Sequence, residues 1–195
     1  MDIVDRAVQV LRRDGIVVYP TDTVYGLGGD AFSDDAILRV YEAKGRPLGK
    51  PISVAVSDTD MLCAIACADG PALGFLERFL PGPVTVILGA RSCIPPLLTG
   101  GTGRIGVRIP AHDLALRIIN GFDSPVTATS ANPSGEKEPA SPGEVRVPHD
   151  LLVDGGVLPG TPSTVVDLVD RRILRRGALA GEIAAYLRKT GGEGA

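Results

Sequence analysis

The sequence predicts an α/β fold. Along most of the chain, apolar residues at helical spacing alternate with short runs rich in valine and isoleucine, a pattern typical of sheets whose strands are joined by helices. The 25 glycines and 16 prolines are spread between these segments, which indicates tight turns. Because the chain has 195 residues and is 44% hydrophobic, we expect one domain over residues 1–189 and a flexible tail over 190–195.

The first third of the chain predicts a helix, a strand and a second helix. Apolar residues recur at helical spacing from Ile3 to Leu11, and the β-branched run 16–19 follows as a buried strand. Ser33 is typical of an N-cap and precedes a helix that ends at Lys44 and Gly45. The second helix therefore leads directly into a basic loop.

The same alternation continues to the C-terminus. Residues 91–103 predict a loop long enough to cover a site, and the polar segment 134–149 is expected to lie exposed on the surface. Residues 170–172 predict the turn of a hairpin. The predicted strands are 52–56, 84–88, 105–109, 125–128, 164–169 and 173–175, and the predicted helices are 58–66, 72–80, 113–119 and 182–187.

Composition argues against several classes of protein. Lys and Arg number 20 against 23 Asp and Glu, and only 4% of residues are aromatic, so neither a basic surface nor a base-stacking surface for nucleic acid is expected. Cys63, Cys67 and Cys93 lack the further ligands of a zinc site and are expected to be ordinary buried thiols. The acidic start and the lack of a long apolar run predict no signal peptide, no membrane span and a cytoplasmic location.

The segment 44–50 is the strongest candidate for anion binding. Lys44, Arg46 and Lys50 place three cations within seven residues, and the intervening glycine and proline residues form a loop. Arginine can hold two phosphate oxygens in a planar fork while lysine supplies a compact charge, so a triphosphate is the expected ligand. Alternatively, the cations only complement the C-terminal end of the preceding helix, and charge alone favours this second interpretation.

Polar groups also follow several predicted strands. The hydroxyl-rich segments 20–30 and 129–132 each follow a strand, where α/β sheets bind ligands, although simple turns would have the same composition. The glycines of 20–30 match neither a dinucleotide nor a Walker pattern. Neither His112 nor His149 has partners that indicate a triad or a metal site.

Seven short motifs follow one another along the chain. They are YPTDTVYGL at 19–27, KGRP at 44–47, KP at 50–51, PGPVT at 81–85, VRIP at 107–110, SAN at 130–132 and STVVD at 163–167. Taken in order, these motifs resemble the YrdC/Sua5 family. The resemblance covers nearly the whole chain and implies a YrdC-like fold, in which a twisted mixed sheet flanked by helices surrounds a positively charged concave site. It also implies the short, single-domain form.

The resemblance implies synthesis of L-threonylcarbamoyladenylate and pyrophosphate from L-threonine, bicarbonate and ATP, the first step of threonylcarbamoyl modification of tRNA. Magnesium would enter on the ATP phosphates, with no metal site of the protein's own. Arg46 and Lys50 would act catalytically by neutralising the leaving pyrophosphate. By similarity, Thr23, Arg108, the backbone of Ala128 and Ser163 would hold threonine, and Lys44, Arg46, Lys50, Ser130, Asn132 and Arg175, rather than Arg176, would hold ATP.

Three departures from the family pattern accompany these assignments. Ala55 stands where some long-form members carry a histidine, Arg104 replaces a small hydroxyl residue, and 135–142 is longer than usual, which leaves the nucleotide contact near Ala140 or Ser141 open. Ala55 is the one hint of a family member with a changed substrate.

The main alternative is an RNA-binding or ribosome-maturation module that uses the same basic groove. Expected partners are a downstream tRNA threonylcarbamoyl transferase and, as an open question, tRNA or double-stranded RNA.

Overall fold

The computed structural model describes residues 2–191, and local sequence signals account for its first two helices. Asp2 caps helix α1 (Ile3–Leu11) by accepting a hydrogen bond from the Ile3 amide at 2.6 Å. Ser33 caps α2 (Asp34–Lys44) through the Ala36 amide, and Gly45 ends that helix in the left-handed conformation at φ 56°. Both helices begin and end close to where the sequence predicts.

The remaining elements alternate along the chain. A 3₁₀ turn, Pro142–Glu144, is the only helical turn of that type among residues 2–191. The helices are α3 (Thr59–Ile65), α4 (Gly70–Phe79), α5 (Pro96–Thr99), α6 (Asp113–Phe122) and α7 (Ala180–Gly191). The strands are β1 (Val17–Tyr19), β2 (Gly26–Gly28), β3 (Val54–Ala55), β4 (Ala66–Cys67), β5 (Val84–Ala90), β6 (Arg104–Arg108), β7 (Val126–Thr127), β8 (Thr129–Ser130), β9 (Leu151–Leu152), β10 (Thr164–Asp167) and β11 (Arg172–Arg175).

The strands form two mixed sheets. The smaller has the order β8-β2-β1-β9, and the larger has the order β11-β10-β5-β6-β3-β7, with β4 paired to β5. Each contains parallel and antiparallel pairs: β1 runs parallel to β9 but antiparallel to β2, and β10 runs parallel to β5 but antiparallel to β11. The sheets meet where β7 passes into β8, and there the Ala128 amide donates to the Ser53 carbonyl at 2.7 Å. The junction places strand ends from both sheets around one depression.

Two apolar clusters fill the interior. The larger packs α2, α3 and α4 against the central strands around Tyr25, Phe75 and Leu76. The smaller lies where α1 packs against α6, and it includes Tyr19 and Ala55 from the strands. The buried residues of α1, α2, α4 and α6 lie on one apolar stripe of each helix, and this stripe packs against the rest of the core.

The α/β class and the helices that flank the strands are confirmed, but some details of the prediction are wrong. The strands belong to two sheets, the predicted strand 52–56 is reduced to Val54–Ala55, and the loop 91–103 contains α5. The sequence does not predict strands β2 and β9. Glycine-rich β2 lacks the apolar alternation of a strand, and β9 depends on pairing with distant β1.

Three smaller expectations also need correction. Cys67 and Cys93 are exposed thiols, and Cys63 is partly buried. The segment 134–149 is not wholly exposed, since Pro139 and Val147 within it are buried. Helix α7 continues through Thr190 to Gly191, the first part of the expected tail, and residues 192–195 lie outside the described part of the chain.

Across residues 2–191, no helix combines the length and the apolar character needed to cross a membrane.

Candidate active site

A polar pocket of about 410 Å³ opens between the two sheets. Residues from β1, β2 and β8 form one wall, and residues from β5, β6, β10 and β11 form the other. Five cationic side chains and two carboxylates line it. All the residues to which the sequence analysis gave a site role lie in this lining: Thr23, Lys44, Arg46, Lys50, Arg108, Ala128, Ser130, Asn132, Ser163 and Arg175.

The basic loop forms one side of the pocket. Because Gly45 ends α2 with a left-handed turn, the chain reverses and presents Arg46 beside Lys50. The Arg46 guanidinium donates to the Lys50 carbonyl at 3.2 Å and to the Pro51 carbonyl at 2.6 Å, which holds both ends of the loop together. Only part of the guanidinium is used in this way, so further N–H groups remain for an anion.

Lys44 is the most buried cation of this loop, with 3% of its surface exposed. Its Nζ donates to the Ser130 carbonyl and to the Asn132 carbonyl, the latter at 2.6 Å. The Ser134 amide in turn donates to the Lys44 carbonyl at 2.8 Å. Burial, followed by the positive charge of Arg46, lowers the pKa of Lys44 to about 8, although Glu138 opposes the change. Lys44 therefore fixes the 130–134 loop and remains able to titrate.

The loop after β8 is tied down by its own amide. Asn132 Nδ2 donates to the Pro133 carbonyl at 3.0 Å and to the Glu136 carbonyl at 2.7 Å. Its Oδ1 is buried without a hydrogen-bond partner among the described residues. A buried acceptor of this kind favours a donor from a ligand or from water. Asn132 thus orders the loop and offers one free oxygen in the pocket wall.

Arg108 is fixed at the opposite side of the pocket. It forms an ion pair with Asp22 at 2.6 Å, and its other terminal nitrogen donates to Thr23 Oγ1 at 3.1 Å. Thr21 Oγ1 lies 2.9 Å from Thr23 Oγ1 and donates to the Val24 carbonyl, which fixes the turn. Within residues 2–191, Nε of Arg108 is buried without a partner, and a free guanidinium N–H in a pocket suits a carboxylate.

Arg175, Ser163, Thr85 and Glu138 form a third group of polar side chains in the pocket lining. Arg175 donates to the Ser163 carbonyl at 3.0 and 3.2 Å, to Ser163 Oγ at 3.0 Å, and to Glu138 at 3.1 Å. Thr85 Oγ1 lies 3.0 Å from Ser163 Oγ. Thr85 and Ser163 are both buried, with 5% and 4% of their surfaces exposed. A single hydrogen-bonded cluster therefore contains one guanidinium, two hydroxyls and one carboxylate.

The sequence analysis missed several residues that line the pocket. Thr85 and Tyr19 lie within the PGPVT and YPTDTVYGL motifs, and their place in those motifs was a usable signal. Glu138 gave no local signal, because its place in the wall depends on long-range contacts. The Tyr25 amide donates to the Pro139 carbonyl at 2.9 Å, and Arg175 donates to Glu138 at 3.1 Å. The side chains of a distant loop thus complete the site.

Other residues that the sequence analysis discussed lie outside the pocket. Ala55 is fully buried in the smaller apolar cluster. Arg104 pairs with Asp167 at 2.7 Å and with Asp170 at 2.9 Å. His112 is the N-cap residue of α6, and burial lowers its pKa. Ala140 and Ser141 are not in the lining, whereas Ser134, Gly135, Glu136 and Glu138 are.

Residues 2–191 contain no group of three histidine, cysteine, aspartate or glutamate side chains placed to hold a metal ion. The two pocket carboxylates are Glu136 and Glu138, and Arg175 engages Glu138. The lining is therefore better suited to anionic oxygens than to a bare divalent cation. A magnesium ion that keeps phosphate and water ligands is compatible with such a lining.

Comparison with known proteins gives consistent matches. A family model that unites Sua5, YciO and YrdC, with the description telomere recombination, matches residues 9–177. The threonylcarbamoyl-AMP synthase of Pyrococcus abyssi is 37% identical over 177 residues, covering 87% of this chain and 52% of that protein. The synthase of Xanthomonas campestris pv. campestris (strain B100) is 36% identical, covering 88% of this chain and 96% of the relative.

The structural comparison agrees. The crystal structure of P. abyssi Sua5 in complex with L-threonine matches with a TM-score of 0.87 at 35% identity, covering 94% of this chain and 56% of that chain. The chain spans about half the length of the Pyrococcus relative and of a synthase from Bacillus subtilis, 52% and 54% respectively.

Proposed function

Because the chain belongs to the Sua5/YciO/YrdC family, we propose that it is a threonylcarbamoyl-AMP synthase. The reaction joins L-threonine, bicarbonate and ATP, gives L-threonylcarbamoyladenylate and pyrophosphate, and supplies a tRNA threonylcarbamoyl transferase. One observation carries the proposal: a single pocket of about 410 Å³ holds Arg108 on one side and the Lys44–Arg46–Lys50 loop on the other. An amino acid carboxylate and a triphosphate are both anions, and this arrangement gives each its own cations.

The Arg108 side of the pocket fits the amino acid. The buried Asp22–Arg108 pair and Thr23 hold the guanidinium still, and these contacts use only two of its five N–H groups, so others would bind the threonine carboxylate. Ser163 and the backbone of Ala128 would complete this subsite. With the carboxylate fixed, the neutral threonine amine is held in place to form a carbamate with bicarbonate, a step that releases one water.

The basic loop fits the nucleotide. The carbamate oxygen would attack the α-phosphorus of ATP, and the bond from that phosphorus to the pyrophosphate oxygen would break. Arg46, Lys50 and Arg175 would neutralise the charge that develops on the leaving pyrophosphate, while Ser130 and Asn132 would contact the phosphates. Magnesium, bound through the ATP phosphates, would add charge neutralisation when present. Positioning and electrostatics carry the reaction in this proposal.

The direct test is magnesium-dependent release of pyrophosphate from ATP with bicarbonate present. We expect release to require L-threonine, L-serine to substitute poorly, and mass spectrometry to detect threonylcarbamoyladenylate. Equal release with and without threonine, or none at all, would contradict the proposal. No release together with RNA binding that weakens steeply with salt would instead support an RNA-binding module.

A further inference from the structure

Thr85 has no role in the assignments above, although it is one of the residues that line the pocket. Its side chain is 5% exposed and belongs to β5, the strand next to β10. The methyl group faces Gly106 on β6, because a Cβ placed at Gly106 would lie 3.4 Å from it. Since a β-branched side chain has few rotamers, this packing directs the hydroxyl to Ser163, 3.0 Å away.

The number of donors and acceptors around Ser163 determines which hydroxyl donates in the Thr85–Ser163 hydrogen bond. A serine hydroxyl has one hydrogen and two lone pairs, and a guanidinium can only donate. Arg175 donates to Ser163 Oγ at 3.0 Å and so occupies one lone pair. If Thr85 donates to the second, the hydrogen of Ser163 is free to face the pocket. Among the described residues the Thr85 hydroxyl has no acceptor other than Ser163.

An anion in the pocket selects this direction of the hydrogen bonds. A carboxylate can only accept, so it binds best where every neighbouring hydroxyl donates toward it. The order Thr85 to Ser163 to carboxylate satisfies that condition, and each bond in such a chain polarises the next. The reverse order, with Ser163 donating to Thr85, would turn an oxygen lone pair toward the anion.

We propose that Thr85 is a positioning residue that, together with Arg175, turns the Ser163 hydroxyl into a donor for the carboxylate of the amino acid substrate. The inference rests on the proposed function and adds to it the direction of a hydrogen-bond chain. Thr85 acts through Ser163 and does not itself touch the substrate.

The test compares Thr85→Val with Thr85→Ser in the full chain. Valine keeps the shape of threonine and removes only the hydroxyl, whereas serine keeps the hydroxyl and removes the methyl group. We expect Thr85→Val to raise the Kd for L-threonine, measured by calorimetry, and its KM about fivefold or more, with the KM for ATP changed less than about twofold. Thr85→Ser keeps the donor but loses the methyl packing that directs it, so its KM for threonine is expected to lie between those of the unaltered protein and of Thr85→Val.

The matched control is Thr99→Val. Thr99 has the same 5% exposure and lies outside the pocket, and its hydroxyl donates to the Pro96 carbonyl within its own helix. Thr99→Val should leave the KM for threonine unchanged. The melting temperatures of all variants show whether they remain folded.

A double-mutant cycle separates positioning from direct contact. In a Ser163→Ala background, Thr85→Val should add less than about twofold to the KM for threonine, because the group through which Thr85 acts is gone. A full effect in that background, or no effect of Thr85→Val alone, overturns the inference. If the unaltered protein releases no pyrophosphate with threonine, the proposed function itself fails, and this outcome is distinct from both.

Discussion

At the scale of single residues, Lys44 has a structural role as well as a charge. Two of its N–H groups donate to the Ser130 and Asn132 carbonyls, so one remains for a phosphate when the amine is protonated. A neutral amine would keep the two loop contacts and lose only the positive charge and the third donor. Titration of Lys44 would therefore change phosphate binding without releasing the loop.

This property predicts a pH dependence for ATP binding. Because burial lowers the pKa of Lys44 to about 8, the side chain is charged at pH 7 and mostly neutral at pH 9 in the unliganded protein. In the proposed function ATP binds beside Lys44 and favours its charged form, so the Kd for ATP should rise about tenfold from pH 7 to pH 9. Lys44→Arg, which stays charged, should show a nearly flat profile by calorimetry. Parallel profiles for the two proteins would contradict this explanation.

Arg46 gives a second prediction at this scale. In the proposed reaction, loss of the charge-assisted hydrogen bonds from Arg46 to the leaving pyrophosphate should cost about 2 kcal/mol, or roughly thirtyfold in kcat/KM for Arg46→Ala. Arg46→Lys, which keeps the charge but loses the fork, should recover only part of the rate. The measurement is steady-state pyrophosphate release, and unchanged turnover in Arg46→Ala would show that the residue is not catalytic.

At the scale of elements, strand β2 depends on its neighbour rather than on its own sequence. Gly28 lies against the ring of Tyr19, and a Cβ there would come within 2.8 Å of the ring. Tyr19 is buried and donates to the Thr127 carbonyl at 3.1 Å, so the ring has little room to move. The glycines of the YPTDTVYGL motif and its continuation thus make space for a ring that lines the pocket.

Two glycine substitutions test this explanation. Gly28→Ala should lower the free energy of unfolding by about 1–3 kcal/mol, because the new methyl group overpacks the Tyr19 ring. Gly181→Ala should raise it by about 0.5–1 kcal/mol, because Gly181 lies in α7 and a Cβ added there would meet no atom within 4 Å. Guanidinium unfolding measures both changes, and equal effects of the two variants would rule out the steric explanation.

The same elements show what sequence can predict. Helix α1 was predictable from the apolar spacing between Ile3 and Leu11, and α2 from Ser33 and Gly45, because these signals act within their own helix. Strand β2 was not, because its glycine-rich sequence lacks apolar alternation, and the position of Glu138 was not, because it depends on a contact between residues far apart in the chain. The pocket residues were predicted from the order of the family motifs along the chain. The basic loop alone would not have been enough, because a solvated helix end has the same charges as a phosphate site.

At the scale of the whole molecule, the pocket joins the two sheets. Tyr19 and Ser130 belong to the smaller sheet, and Arg108 and Arg175 belong to strands of the larger. A ligand that contacts both walls binds only when the sheets are correctly docked. Ligand binding therefore stabilises the junction as well as the loops, by an amount set by ligand concentration relative to Kd.

Hydrogen exchange can measure this linkage. With ATP and L-threonine bound, amide exchange should slow in peptides from both walls of the pocket. These peptides cover 17–28, 44–53, 128–138 and 163–175. Peptides from α1 and α6, which pack on each other away from the pocket, should change much less. Protection confined to the basic loop would mean that the ligands do not bridge the sheets.

The exposed cysteines give the molecule two natural attachment points. Cys67 and Cys93 are open to solvent, whereas Cys63 is partly covered, and none of the three lines the pocket. A maleimide dye should therefore couple first at Cys67 and Cys93 and leave the pocket clear. A variant that keeps either Cys67 or Cys93 and has serine at the other two cysteine positions would carry one dye for fluorescence studies. No new cysteine would have to be introduced.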